Sequence, residues 1–254
     1  MTTPIYEARD VTKSYGSVRA LECANFDVYP GEVSALVGDN GAGKSTLVRI
    51  LAGAEQANGG QILFNGEAIR LETPTAARKR GIETVFQDLA LANHLNPIQN
   101  MYLGRELMKP GVLGALGFME RTEMRNQGRA AFSALGATVR NFTGPVGGMS
   151  GGQRQAIAVA RAAAWASEVI FLDEPTAALG VVQTKGVMDL IRKIRDKGIA
   201  VVLISHSMPH VLDVADRVHV LRHGKRVAVM DAKQTNVEEL VGAMTGALDG
   251  KEAA

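Results

Sequence analysis

Short runs of β-branched and aliphatic residues recur along the chain, most of them closed by Gly, Pro or Asp. They predict strands over residues 25–29, 33–37, 61–65, 169–172, 199–204, 218–221 and 226–230. Between the fourth and fifth runs, Val187, Leu190, Ile191 and Ile194 fall at i, i+3, i+4 and i+7, one face of a helix, with Gly198 as its stop. Strand, helix and strand make a βαβ unit, which requires a parallel sheet. The fold class is therefore α/β, and hairpin-like segments near each end add an antiparallel part.

From about residue 88 to 165 the pattern changes. Ala, Met, Leu and Arg dominate, several helical spacings appear, and no strand is convincing. This reads as one domain over residues 1–254, with an α/β core of 1–87 and 166–254 and a helical insertion of 88–165. Inside the insertion, residues 110–118 form a Gly-broken apolar loop with Val112, Leu113, Leu116 and Phe118. That loop either folds onto the insertion's own core or presents a docking surface. Near the C-terminus, Asn236 followed by Glu239 has the spacing of a helix-capping pair ahead of Leu240 and Val241.

Composition narrows the chemistry. With 28 Lys+Arg against 26 Asp+Glu, the chain carries a formal charge of +2 and no basic run, which argues against a nucleic-acid partner. Cys23, the single cysteine, excludes an intramolecular disulfide, fits a reducing compartment and reads as a small apolar residue in or near the core. Residues 1–6 lack the apolar stretch of a signal peptide, and the longest apolar run, 199–204, is far short of the ~18 residues of a membrane span. A soluble, cytoplasmic type of protein is expected. Glycine, at 28 of 254 residues, is well above the average of about 7%, so backbone approaches something closely at several places.

The first such place is Gly38-Asp39-Asn40-Gly41-Ala42-Gly43-Lys44-Ser45, with Thr46 next. It follows the strand at 33–37 and opens an apolar-periodic helix (Leu47, Ile50, Leu51), the context that a phosphate loop needs. Successive N–H groups and the helix N-terminus converge on an anion, Lys44 supplies charge to β- and γ-phosphates, and the Ser45 hydroxyl can ligate Mg²⁺. Further on, the apolar run 169–172 ends in Asp173 and Glu174. In a parallel sheet Asp173 would stand beside the phosphate loop, able to hold Mg²⁺, with Glu174 placed to orient or deprotonate water.

A third segment, Met149-Ser150-Gly151-Gly152-Gln153-Arg154-Gln155, resembles the signature turn of the ATP-binding-cassette (ABC) ATPases, with Met in place of the usual Leu. It opens a helix expected over 153–165 and offers a hydroxyl and N–H groups to an anion. The resemblance then implies further roles in the family's order. Tyr15 matches the aromatic that stacks on adenine. Gln87 matches the glutamine that reaches Mg²⁺ and the attacking water, and His206 the histidine that senses the γ-phosphate. After Glu174-Pro175-Thr176, Gly180 stands where the family usually has the Asp that contacts the opposite subunit.

Pro-Thr-Ala-Ala-Leu (175–179) and Ile-Ser-His-Ser-Met-Pro-His (204–210) are similar to the ATPases of ribose/fructose-type sugar importers. What the resemblance implies is a homodimer closing around two ATP, each between the phosphate loop of one copy and the Ser-Gly-Gly turn of the other. It further implies integral-membrane permease subunits docked near residues 91–103, an extracytoplasmic sugar-binding protein acting through them, and a peripheral position on the cytoplasmic face of the membrane. The competing readings are a soluble ABC ATPase acting on nucleic acid or ribosomes, an exporter subunit, and a small-molecule P-loop kinase.

Overall fold

The computed structural model describes residues 3–137, 139, 141–177 and 179–247. The chain divides into two compact units. A core unit runs to Gln87 and takes in Trp165–Pro175 and the chain from Ile191 on; a helical unit is Asp88–Ala164 with Thr176–Leu190.

In chain order the strands are β1 (Tyr6–Tyr15), β2 (Val18–Val28), β3 (Val33–Val37), β4 (Gly59–Phe64), β5 (Glu67–Ile69), β6 (Ile82–Val85), β7 (Val169–Asp173), β8 (Ala200–Ile204), β9 (Arg217–Arg222) and β10 (Lys225–Asp231). The helices are α1 (Lys44–Leu51), α2 (Pro74–Arg78), α3 (Pro97–Tyr102), α4 (Val112–Ala115), α5 (Arg121–Leu135), α6 (Gly151–Trp165), α7 (Val181–Asp196), α8 (Met208–Val214) and α9 (Val237–Thr245). One sheet has the order β2-β1-β4-β5 and is antiparallel; the other has the order β10-β9-β3-β8-β7-β6, parallel except for β10.

Every residue of β3 and β8 is buried, as strands covered on both faces should be. The apolar faces of both sheets and of α1 share one core, where Tyr6 meets Phe64 and Phe171 edge-on at 6.0 and 6.1 Å and its hydroxyl donates to the Leu51 carbonyl at 2.6 Å. Burial drives the Tyr6 hydroxyl well above its ordinary pKa, so it stays a neutral donor.

All seven expected strands are present, and so is the capping pair at Asn236 and Glu239. Val187, Leu190, Ile191 and Ile194 are buried along α7. Three strands escape the sequence pattern. In β1 the buried positions Tyr6, Ala8 and Val11 break the two-residue alternation, because a bulge with Asp10 at φ +50° sits between Ala8 and Val11. β6 carries the polar pair Glu83 and Thr84, and β5 is only three residues long. Cys23 is exposed, not in the core: it too lies at a bulge, with φ +51° in β2.

In the helical unit, Asn96 and Gln99 cap α3 reciprocally, and buried Asn100 ties down the preceding loop. Its amide donates to the carbonyls of Ala92, Leu95 and Asn96 and accepts from Ala92 N–H at 2.8 Å. The 110–118 loop does not fold onto its own core. Val112 is 76% and Leu116 68% exposed. Among the described residues no helix is long and apolar enough to cross a membrane.

His219 on β9 is fully buried against Phe26, centroids 4.5 Å apart, and neither ring nitrogen makes a hydrogen bond of good geometry. Burial pushes its pKa down to about 3, against an opposing pull from Asp27. The folded state thus refuses a proton that the unfolded chain accepts below about 6.5, and stability falls as pH drops from there toward 3. His219→Leu should flatten this acid loss, worth on the order of 3–5 kcal/mol at its limit, when urea unfolding is compared at pH 7 and pH 5. An equal acid loss in both proteins would contradict it.

Candidate functional site

The parallel register fixes where the charged residues emerge. Leu36 and Asp173 each lie opposite Ile204, and Val85 lies opposite Leu172. The segments leaving β3, β8, β7 and β6 therefore depart at one carboxyl edge. They carry the Gly38–Ser45 loop, His206, Glu174 and Gln87 respectively.

The loop turns into α1 through Gly43, the left-handed N-cap. Sequence reasoning assigned its glycines to ligand approach, but the structure divides them. A Cβ on Gly38 would fall 2.2 Å from the Leu221 carbonyl oxygen, and one on Gly43 would fall 2.5 Å from that of Ala20. Those two are demanded by the protein's own backbone. At Gly41 nothing lies within 4 Å of the added atom, so that glycine alone of the three faces open space.

Lys44 is buried, and its ammonium donates to the carbonyls of Gly38 and Asp39 at 2.6 and 2.9 Å. Burial lowers its pKa, while Glu174, Asp39 and Asp173 pull the other way and help keep the charge. Asp173 is shifted upward by burial, opposed by Lys44, Arg49 and His206. Glu174 sits at φ +51°, its N–H held by the Ile204 carbonyl at 3.0 Å. Its Oε1 has no hydrogen-bond partner of good geometry and lies 3.3 Å from His206 Nε2. Burial raises the Glu174 pKa above the usual carboxylate value, against the pull of His206 and Lys44 and with a small push from Asp173. A carboxylate so placed is a proton acceptor of raised basicity.

Tyr15, at the end of β1, is 44% exposed. Its hydroxyl donates to Glu55, which also pairs with Lys13 at 3.0 Å, and the Lys13 ammonium stands 5.2 Å from the ring centroid. Burial and Glu55 raise the Tyr15 pKa, and the Thr46 side chain and Lys13 oppose them. The structure thus brings Lys44, Asp173, Glu174 and His206 together, with Ser45 exposed on α1 and Gln87 exposed just past β6. Sequence reasoning missed Glu55 and Lys13, which hold Tyr15, and Arg49 near Asp173. Lys13 two residues before Tyr15 and Arg49 four after Ser45 were spacings that could have shown two of them.

The Ser-Gly-Gly turn belongs to the helical unit. There Gln153 N–H donates to Ser150 Oγ at 3.3 Å and Ser150 N–H to Gln153 Oε1 at 3.1 Å, a reciprocal cap. Helix α6 begins at Gly151, two residues earlier than expected.

A model of the ABC transporter family matches residues 21–177. The chain belongs to the ABC transporter family. It is an ATPase of that family. It is 48% identical over 246 residues to a fructose import ATP-binding protein of Rhizobium meliloti, covering 96% of this chain and 95% of the relative. To a xylose/arabinose import ATP-binding protein of Sulfolobus acidocaldarius it is 40% identical, over 97% and 96%. A ribose import ATP-binding protein of Escherichia coli O157:H7 is 39% identical, but the match covers only 47% of that longer chain. Among solved structures, a dimeric ATP-binding cassette in a post-hydrolysis state with ADP and Pi has the same fold, with a TM-score of 0.76 at 24% identity over 91% of this chain and 100% of that one.

The division among the glycines is testable. Gly43→Ala should lower the thermal midpoint and weaken ATP binding, because its Cβ collides with backbone at Ala20. Gly41→Ala should change the midpoint much less, since only its φ of +82° is strained. Equal midpoint losses would contradict the assignment.

Proposed function

We propose that the chain is the energising subunit of a sugar importer, and that a homodimer of it hydrolyses ATP on the cytoplasmic face of the membrane. The observation that carries this reading is the half-buried Glu174 carboxylate at the sheet edge, 3.3 Å from His206 and within the field of Lys44. The import names of the relatives support the substrate class.

The N–H groups of residues 39–45 and Lys44 hold the β- and γ-phosphates, and Tyr15 offers its ring to adenine. The donors fit a hard cation: the exposed Ser45 hydroxyl, the Asp173 carboxylate held beside Lys44, and the Gln87 amide would hold Mg²⁺, which would neutralise phosphate oxygens. Glu174 accepts the proton of a water as its oxygen bonds to the γ-phosphorus and the bond to the ADP oxygen breaks. His206, its side chain 55% exposed and 3.3 Å from Glu174, is free to reach the γ-phosphate. Ser150, Gly151, Gly152 and Gln153 serve the ATP of the second copy.

Permease subunits would dock on the helical unit. A cavity of about 460 Å³ opens there, lined by Leu95, Ile98, Leu103 and Met124 with Arg121 and Arg125. It overlaps the 91–103 stretch expected to receive them, and its lining includes Met119, next in sequence to the exposed apolar loop. An extracytoplasmic sugar-binding protein would act through those permeases.

Glu174→Gln should reduce steady-state hydrolysis by roughly 10²-fold or more while allowing an ATP-dependent pair of chains to accumulate. In the unaltered protein, hydrolysis should fall as pH drops through the raised pKa of Glu174, so the acid limb of kcat lies above the ordinary carboxylate value of 4.5. Full activity of the Gln variant, or an acid limb at or below 4.5, would overturn the assignment of the base.

A further inference from the structure

Tyr15 is held by a segment far from it in sequence. After α1 the chain passes the end of β1, and residues 55–58 grip residues 12–15 along their length. The Tyr15 hydroxyl donates to Glu55 Oε2. The Lys13 ammonium pairs with Glu55 Oε1 at 3.0 Å and donates to the Gln56 carbonyl at 2.7 Å. The Ser14 N–H donates to Asn58 Oδ1 at 2.7 Å, and the Asn58 N–H to the Thr12 carbonyl at 2.8 Å.

The same segment is anchored to the helix that follows the phosphate loop. The N–H groups of Ala54 and Glu55 donate to the Arg49 carbonyl, in the last turn of α1, at 2.8 and 3.2 Å. The side chains of Lys13 and Glu55 are only 14% and 19% exposed, so water screens this pair less than an open surface pair. Burial pushes the Glu55 pKa up, but Tyr15, Lys13 and Arg49 together bring it below its ordinary value, and the carboxyl stays ionised. The Tyr15 ring, by contrast, remains 44% exposed. A ring fixed through its hydroxyl and left open to solvent loses rotamer freedom without the gain of burial, a loss that a stacked ligand offsets.

We propose that Glu55 and Lys13 are positioning residues for the nucleobase: they clamp the Tyr15 ring to the helix that carries Lys44, so that base platform and phosphate loop keep a fixed spacing. Their role rests on the reading of Tyr15 as the aromatic that stacks on adenine. Lys13 stands over the ring, 5.2 Å from its centroid, and leaves the opposite face to the base. Glu55 holds the hydroxyl and the ammonium at once, so it fixes both the tilt of the ring and the face that stays open. Loss of the clamp frees the ring but leaves Lys44 and its loop in place. Binding of a nucleotide then weakens, while binding of a bare phosphate chain does not.

The test uses the full chain, with steady-state ATPase kinetics and inhibition by inorganic tripolyphosphate, which offers phosphates without a base. Glu55→Ala should raise KM for ATP about three- to tenfold and leave kcat and the tripolyphosphate inhibition constant unchanged. Glu55→Gln, whose amide oxygen still accepts from Tyr15, should retain most of the wild-type KM. Tyr15→Phe, which keeps the ring and loses the hydroxyl, should raise KM as well, and adding it to Glu55→Ala should bring no further rise. An unchanged KM in Glu55→Ala, an equal rise in its tripolyphosphate constant, or additive effects in the double variant would each overturn the proposal. Tyr15→Ala separates the two levels. A large rise in KM there, with none in Glu55→Ala, overturns the clamp alone, whereas an unchanged KM in Tyr15→Ala overturns the adenine platform and the clamp with it.

Discussion

A buried ammonium is the constraint on which the rest of this structure depends. Lys44 is surrounded by backbone and by three carboxylates at the edge of a parallel sheet, and burial works against its charge. Two loop carbonyls and the field of Glu174, Asp39 and Asp173 offset that loss. The carboxylates are held in turn by Lys44, against their own desolvation. Each sign of charge offsets part of the burial cost of the other. The loop must curl tightly enough to aim its carbonyls at Nζ, and this forces glycine where it passes the ends of β9 and β2.

The chemistry follows from the residual imbalance. Desolvation outweighs the attraction of His206 and Lys44 at Glu174, so its carboxylate remains more basic than a solvated one. It stands on a residue of positive φ at the end of a buried strand, which aims it out of the sheet and away from its neighbours' hydrogen bonds. A carboxylate, an ammonium and an imidazole are thereby collected by register, from strands far apart in sequence. The Ser-Gly-Gly turn is built quite differently, as a self-capped helix start whose hydroxyl and amide satisfy one another. Each chain supplies one of each, and on the proposed reading two chains use them on one nucleotide.

Much of this was legible beforehand. Alternation and turn residues marked every long, regular strand, and the phosphate loop, the acid pair and the signature turn each announced themselves by residue type and spacing. What escaped detection did so for physical reasons. The bulge at Asp10 shifts β1 by one residue, so its buried positions no longer alternate. β6 buries Glu83 in an otherwise apolar layer. Cys23 looked like a core residue because its small apolar side chain says nothing about the left-handed backbone that turns it outward. The supports of the site were hidden as well. Glu55 reaches Tyr15 across 40 residues of sequence, a distance that no local pattern records.

The central claim is that each ATP is held by the phosphate loop of one copy and the signature turn of the other, and a mixing experiment tests it most directly. A Lys44→Ala chain and a chain with Ser150→Arg should each be inactive alone. Mixed in equal amounts, half of the pairs carry one intact composite site, and about a quarter of the wild-type ATPase rate should return on random pairing. No recovery on mixing, with both chains folded and able to pair, would contradict the account.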